Sequence, residues 1–344
     1  LLFFLNSRLM SIIMSLFAKL DDFVLAHITR AIPSALTGPL RESCWRFARF
    51  VPPPARMTAH ELLKYGARIG DAHVCDLAIA NGARNYSRAT YAAARGGHYD
   101  MSDLFARKSN YDSMLCGAAR GGHRAICDCA IARGASNFTQ MIYEAARGGH
   151  RAICERAIEL EKARAISARN RYHYRENGEQ IFARENIARC YKSALCGAAR
   201  GGHRAICDLA ISNGGFDSMG MLCSAARGGH RAICELAYSI DDSGEYECAM
   251  EAAARGGHRE ICELAREWII ARRRLREATG YRMMLRGAAR GGHHVLCELA
   301  RKWMGSERKG AARAYRQMLS AASQKECRAI CDLARVWLRE IGCD

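Results

Sequence analysis

The sequence predicts an all-α protein: a helical-hairpin solenoid with a small helical module at its N-terminal end. Three observations carry this. The tetrad Arg-Gly-Gly-His recurs seven times, ending at His98, His123, His150, His203, His230, His258 and His293. Apolar residues recur around each tetrad at helical spacing. In a chain of 344 residues, no proline follows Pro54, so about 290 residues lack the residue that most often interrupts helices and marks strand edges.

Composition narrows the class further. Apolar residues make up 49% and charged residues 25%, which is a folding composition. Lys and Arg number 52 against 35 Asp and Glu, a formal net charge of +17. The 17 cysteines are odd in number and fall mostly at helix-interior positions. That argues against a secreted disulfide framework and for a reducing compartment, cytoplasm or nucleus.

Residues 1–13 form an apolar leader that need not belong to the native protein. The run 1–17 is interrupted by Asn6, Ser7 and Arg8, so it is too short and too polar for the roughly 18–20 apolar residues of a bilayer span. One reading starts the working protein at Met10 or Met14; the other is a weak membrane or secretory segment. Residues 14–50 read as two short amphipathic helices, one carrying Phe23, Val24, Ile28 and Ile32, the other Leu36, Leu40, Cys44 and Phe47, with Pro33 between them. Leu20-Asp21-Asp22, Leu25, Ile28, Ile32-Pro33 and Cys44-Trp45-Arg46-Phe47 fall in an order that resembles an F-box. Asp21 stands where that family has proline, and Ser43 where it has an apolar residue. The other reading of this segment is a generic helix pair sealing the end of a solenoid. Residues 51–57 follow as a linker, stiffened by Pro52-Pro53-Pro54.

Residues 58–344 are the repeat region. Counting each tetrad His as zero, Leu at −8 and Ala at −5 and −4 make one helical face, as in Leu222, Ala225 and Ala226. Ile at +3, Cys at +4, Leu at +6 and Ala at +7 make a second, as in Ile206, Cys207, Leu209 and Ala210. Gly-Gly closes the first helix. Arg at +1 and Asp or Glu at +5 lie one turn apart on the solvent side. The frame extends upstream to Gly70-Asp71 and downstream to Cys327. Trp268, Trp303 and Trp337 hold a common register ten residues past His258, His293 and Cys327. One interval, from His150 to His203, is 53 residues, about twice the usual 25–28, so a worn unit is expected with its turn near Gly178. That gives about ten helix pairs. A single pair cannot bury both faces, so the units must stack.

The pattern Leu-x-x-Ala-Ala-x-x-Gly-His-x-x-Ile-Cys-x-Leu-Ala resembles the ankyrin repeat. Most units are shorter than that family's, and its Thr-Pro-Leu-His is absent. The resemblance therefore implies helix pairs joined by short loops in place of projecting hairpin fingers. It also implies a protein that binds other proteins. If the F-box-like segment is real, the chain would be a substrate adaptor of a ubiquitin ligase. Leu20, Leu25, Ile28, Pro33, Leu40 and Phe47 would then meet a Skp-type subunit while the repeats hold a client. Chains joining these modules are familiar in eukaryotes and in large DNA viruses, so a viral protein acting in a host cell fits the resemblance too.

No enzyme is expected, and no cofactor or metal. The His-x-x-x-Cys spacing, as in His123/Cys127 and His203/Cys207, could place two zinc ligands on one helix face. It recurs with the scaffold, however, and its Cys falls in the apolar stripe. Arg-Gly-Gly-His lacks the preceding strand and the Gly-Lys-Ser/Thr of a phosphate loop. Candidate partner-binding residues lie at two frame positions. Position −3 is Arg throughout: Arg95, Arg120, Arg147, Arg200, Arg227, Arg255 and Arg290. Position −7 varies: Tyr91, Cys116, Tyr143, Cys196, Cys223, Glu251, Arg286 and Ser320. The arginine row is either a solvated helix face or an electrostatic rim for an acidic protein surface; nucleic acid ranks behind, because few aromatics interleave to stack bases. A monomer is expected, and a membrane partner is not.

Overall fold

In a computed structural model, the structure describes residues 57–342, except 173–175, 241–245, 272–276, 306–309 and 324–326. The F-box-like residues Leu20, Leu25, Ile28, Pro33, Leu40 and Phe47 lie outside the described residues, as does the 1–13 leader.

Each Asn or Asp thirteen residues before a tetrad His begins a helix. The side chains of Asn85, Asn110, Asn137 and Asp217 accept from the backbone N–H three residues on, each such cap stabilising by about 1 kcal/mol. Thr58 and Glu61 form a full capping box at the start of the repeat region. Twelve residues later the second glycine of the tetrad enters the left-handed region, as Gly229 does at φ 85°, and ends the helix. The tetrad His then opens the next helix.

The result is eighteen helices in nine sequential pairs among the described residues. They are α1 (Ala59–Ile69), α2 (Ala72–Ala80), α3 (Tyr86–Gly96), α4 (Tyr99–Ala106), α5 (Tyr111–Gly121), α6 (Arg124–Ala132), α7 (Phe138–Gly148), α8 (Arg151–Tyr172), α9 (Glu176–Gly201), α10 (Arg204–Ser212), α11 (Ser218–Gly228), α12 (Arg231–Ile240), α13 (Tyr246–Gly256), α14 (Arg259–Ala271), α15 (Glu277–Gly291), α16 (His294–Met304), α17 (Ala311–Ser323) and α18 (Arg328–Glu340). No strand occurs among the described residues. The connections 81–85, 133–137 and 213–217 are five residues long. The pairs fall into two compact units, one ending at Ser136 and the other beginning at Asn137.

Within each unit the first helix of a pair packs on its own second helix and on the first helix of the next pair. The core is the predicted one except at +6, where Leu77 and Leu104 are exposed and Leu209 and Leu236 only half-buried, because that position lies at the edge of the second helix's buried stripe. Ala93, Ala118, Ala119, Ala145, Ala198, Ala225 and Ala254 are fully buried, and Ile206, Cys207, Ile233, Cys234, Ile261 and Cys262 line the facing helices. Each large apolar side chain so buried contributes roughly 1.5–3 kcal/mol.

The worn unit expected near Gly178 is not a separate pair. The second helix of the His150 unit continues for 22 residues, and the first helix of the His203 unit is 26 residues long, with Gly178 inside it. Ordinary helices here have nine to eleven. The two units are immediate neighbours: a Cβ on Gly149 would meet the His203 ring at 2.6 Å, and one on Gly197 would meet the Tyr143 carbonyl oxygen at 2.3 Å. The physical reason is that residues 160–190 contain neither a Gly-Gly stop nor the adjacent Ala-Ala pair that lets helices approach, so the extra residues lengthen the two existing helices.

In the last three pairs the aromatic residues knit the layers. Tyr246, Tyr281 and Tyr315 pack on Trp268, Trp303 and Trp337 of their own pairs, with ring centroids 5.3–5.8 Å apart. The residue at +8 of each preceding pair then covers the same tryptophan. Tyr238 stacks on Trp268 at 4.6 Å, Arg266 lies 4.9 Å over Trp303, and Arg301 lies 4.7 Å over Trp337. The first unit uses charge instead. Asp103, 7% exposed, takes Arg107 at 2.8 Å, Arg133 of the next pair at 3.0 Å and the Tyr111 hydroxyl at 3.2 Å.

Candidate recognition face

The tetrad histidine joins neighbouring pairs. The Nε2 atoms of His98, His123 and His230 lie 3.2 Å from the carbonyl oxygens of Arg68, Arg95 and Arg200, the −3 arginines of the preceding pairs. A carbonyl only accepts, so Nε2 carries the proton and donates. The acceptors are last-turn carbonyls that the helix itself leaves without a partner. Sequence spacing suggests a local role for this histidine at its own turn; the ring makes no cap bond to its own helix and instead reaches back one pair. Burial, partly offset by these backbone bonds, holds His98 and His258 below the ordinary imidazole value. Asp71 takes the histidine's place in α2 and caps its own helix, accepting from the Val74 N–H at 3.1 Å. The first glycine of the tetrad is what lets the ring through. A Cβ on Gly228 would lie 2.5 Å from the Arg200 carbonyl oxygen and 2.7 Å from the His230 ring.

This seam fixes where the candidate residues go. With each −3 carbonyl turned into the seam, successive −3 arginines stand one above the next, and the −7 residues lie one turn away on the same helix face. Tyr91, Arg95 and Arg120 belong to the first unit, where Arg68, not singled out from the sequence, begins the row. In the second unit Tyr143, Arg147, Arg200, Arg227, Glu251, Arg255, Arg286 and Arg290 are all half-buried. The Arg200 Nη1 donates to the Tyr143 hydroxyl at 3.2 Å. Burial, then the charges of Arg200 and Arg255, lower Arg227 from the ordinary guanidinium value.

The candidate residues are not alike. Glu251 accepts from the Arg286 Nε at 3.0 Å, from the Arg286 Nη2 and from the Arg290 Nη1 at 3.0 Å, so these three form an internal ion cluster between adjacent pairs. The Glu251 bond raises Arg286. Cys116 is buried, 8% exposed, whereas Ser320 is exposed.

The second helices present a different surface. Arg151–Glu155, Arg231–Glu235 and Arg259–Glu263 each pair at 2.8 Å, and Arg204–Asp208 at 3.1 Å, all within one helix as the +1/+5 spacing predicts. These arginines are locally neutralised.

The His-x-x-x-Cys pairs do not converge. The histidines point to the preceding pair, while the Cys127 and Cys262 thiols point inward at the Leu115 and Met250 carbonyls, 4.0 and 3.8 Å away. Burial pushes Cys75, Cys154, Cys207, Cys234, Cys262 and Cys297 up to about 12, so these thiols are poor nucleophiles and poor ligands. Among the described residues no three His, Cys, Asp or Glu gather in a set able to hold a metal ion. Among them too, no helix is long and apolar enough to cross a membrane.

Fold and face together define an all-α protein of sequentially paired helices with a basic first-helix face. No model of a known protein family matches the chain, and no curated protein matches it in sequence.

Proposed function

We propose that this chain is a non-enzymatic interaction protein of ankyrin-like construction: the first-helix face of residues 58–344 holds a client protein, and the F-box-like segment 14–50 links it to a Skp-type subunit of a ubiquitin ligase. The observation that carries the client-binding half is the contrast between the two helix faces. Arg151, Arg204, Arg231 and Arg259 on the second helices each have a carboxylate one turn on, while the half-buried Arg147, Arg200, Arg227 and Arg255 have none within 4.0 Å among the described residues. A half-buried row of cations without internal carboxylates is what an anionic surface on a macromolecular ligand would complete. The buried thiols Cys75, Cys154, Cys207, Cys234, Cys262 and Cys297 fit work in a reducing compartment. The ligase half rests on the sequence pattern alone.

Two experiments test the halves separately. Pull-down with a Skp-type protein is expected to succeed with the intact chain and to fail with Leu25→Ala/Ile28→Ala. No association by the intact chain removes the ligase role and leaves a binding scaffold. Co-purification with wild-type chain and with Tyr143→Ala identifies clients held by the first-helix face. If every captured client is kept by Tyr143→Ala and by Arg200→Gln, that face is not the recognition surface.

A further inference from the structure

We propose that Arg147, Arg200, Arg227 and Arg255 form a linear receptor for an extended acidic peptide segment whose carboxylates recur at every third residue. This rests on the reading of the first-helix face as the recognition surface, and goes beyond it by naming the chemistry and spacing of the ligand.

The row is continuous. A Cβ on Gly201, Gly228 or Gly256 would sit 2.4–2.5 Å from the carbonyl oxygen of Arg147, Arg200 or Arg227, so each arginine's backbone touches the next pair's turn. Its companions at −7 carry no charge over most of its length: Tyr143, Cys196 and Cys223. Tyr143 steadies Arg200 through one of that guanidinium's five N–H donors. The Nε of Arg147 is buried without a hydrogen-bond partner. At the far end Glu251, one turn before Arg255, draws Arg286 and Arg290 into an ion cluster and closes the row. An anionic ligand therefore finds four consecutive cations, then a carboxylate.

Spacing selects the ligand's form. Packed helices lie about 8–10 Å apart, so four stacked arginines span roughly three such steps. An α-helical ligand repeats one face every ~5.4 Å, and a β-strand every ~6.6 Å. Neither keeps register over four steps. A polyproline II segment rises ~3.1 Å per residue with three residues per turn, so side chains at every third residue share one face at ~9.3 Å. That matches the row. Phosphates along one strand of B-DNA recur every ~3.4 Å, which gives no one-to-one match. Carboxylates suit the site because guanidinium binds them through two parallel hydrogen bonds.

The experiment is fluorescence anisotropy at pH 7 with the full chain and two labelled synthetic peptides of equal composition and charge. One is Glu-Pro-Pro repeated four times; the other carries its four Glu in one block followed by eight Pro. The register peptide is expected to bind at least tenfold more tightly than the block peptide. Arg200→Gln/Arg227→Gln should weaken it at least tenfold, and Arg204→Gln/Arg231→Gln, on the second helices, less than twofold. Circular dichroism reports whether each variant is folded. If the double variant is not, Arg227→Gln alone should weaken binding at least threefold.

Equal binding of the two peptides, no binding of either, or retention of binding by the folded row variants overturns the proposal. So does a single-stranded oligonucleotide of equal charge that binds more tightly than the register peptide. If the peptides fail while a co-purified client is still lost on Tyr143→Ala, the acidic register is wrong and the recognition face stands.

Discussion

The first helices and the second helices of this protein are held to their neighbours by different means. First helices meet backbone to backbone: at Gly197 and Gly287 a Cβ would lie 2.3 Å from the Tyr143 and Glu251 carbonyl oxygens. Second helices are farther apart and meet through long side chains, such as Tyr238 and Arg266 over tryptophans of the next pair. The lesson is that one layer sets the spacing of the pairs and has no side-chain volume to spare, while the other adapts. The tight layer keeps its arginines in register on one face; the adaptable layer pairs its charges, within a helix as at Arg231–Glu235 or between neighbouring pairs as at Arg133–Asp103.

The contrast can be broken at four points, here from the largest effect to the smallest. Trp268→Ala removes a stacked Tyr238 and a tilted Tyr246 from a residue only 9% exposed. A loss of about 3–5 kcal/mol is expected by urea unfolding. A loss below ~1 kcal/mol would mean that the side-chain layer is dispensable. Gly197→Ala pits two effects against each other. Helix propensity favours alanine by about 1 kcal/mol, but the new methyl meets a backbone carbonyl that cannot turn away, and overpacking costs about 1–3 kcal/mol. Net destabilisation is expected, and net stabilisation would show that the first helices are free to move apart.

His230→Ala should cost about 1–2 kcal/mol, because it leaves the Arg200 carbonyl without its donor. The same seam responds to pH. The unfolded imidazole titrates near ~6.5, and burial holds His98 and His258 lower in the folded chain. Between those values the unfolded state binds more protons, so this contribution is full above about pH 6.5 and is lost as pH falls through it towards the folded values. Unfolding free energy should be lower at pH 5.5 than at pH 7.5, and an unchanged value would remove the histidine seam as a source of acid sensitivity. Smallest of all, Arg231→Gln breaks an exposed pair with Glu235, and the expected change is below ~0.5 kcal/mol. A larger change would make the second-helix surface more than a solvated face.

Much of this was legible in the sequence. Gly-Gly, the paired alanines and the +3/+4 apolar residues carry backbone demands that few other residues meet, so they placed the helices and the core correctly. The +1/+5 pairs follow from one turn of helix. Longer-range features escaped. The spacing alone reads 53 residues as two periods, because a lengthened pair and a worn extra pair occupy the same length; only the absence of a second glycine stop between 160 and 190 separates them. The caps at Asn85, Asn110, Asn137 and Asp217 share one position, −13, and that recurrence was available as a signal. The partners of His98, His123 and His230 lie 28–30 residues back in the chain, beyond any local rule. Glu251 looked like a varied surface residue, and only packing shows it clamped between Arg286 and Arg290.

Because each imidazole reaches only backwards, the fastening has a direction. A pair emerging late in synthesis brings its own donor to a carbonyl that is already in place, and the pair before it need not be remade. Losing a pair from the carboxyl side would strip an acceptor of its cover, which water can replace, whereas losing one from the amino side would strand a ring aimed at nothing. Vectorial growth on the ribosome, and shortening or lengthening from the later end, are the changes this arrangement accommodates best.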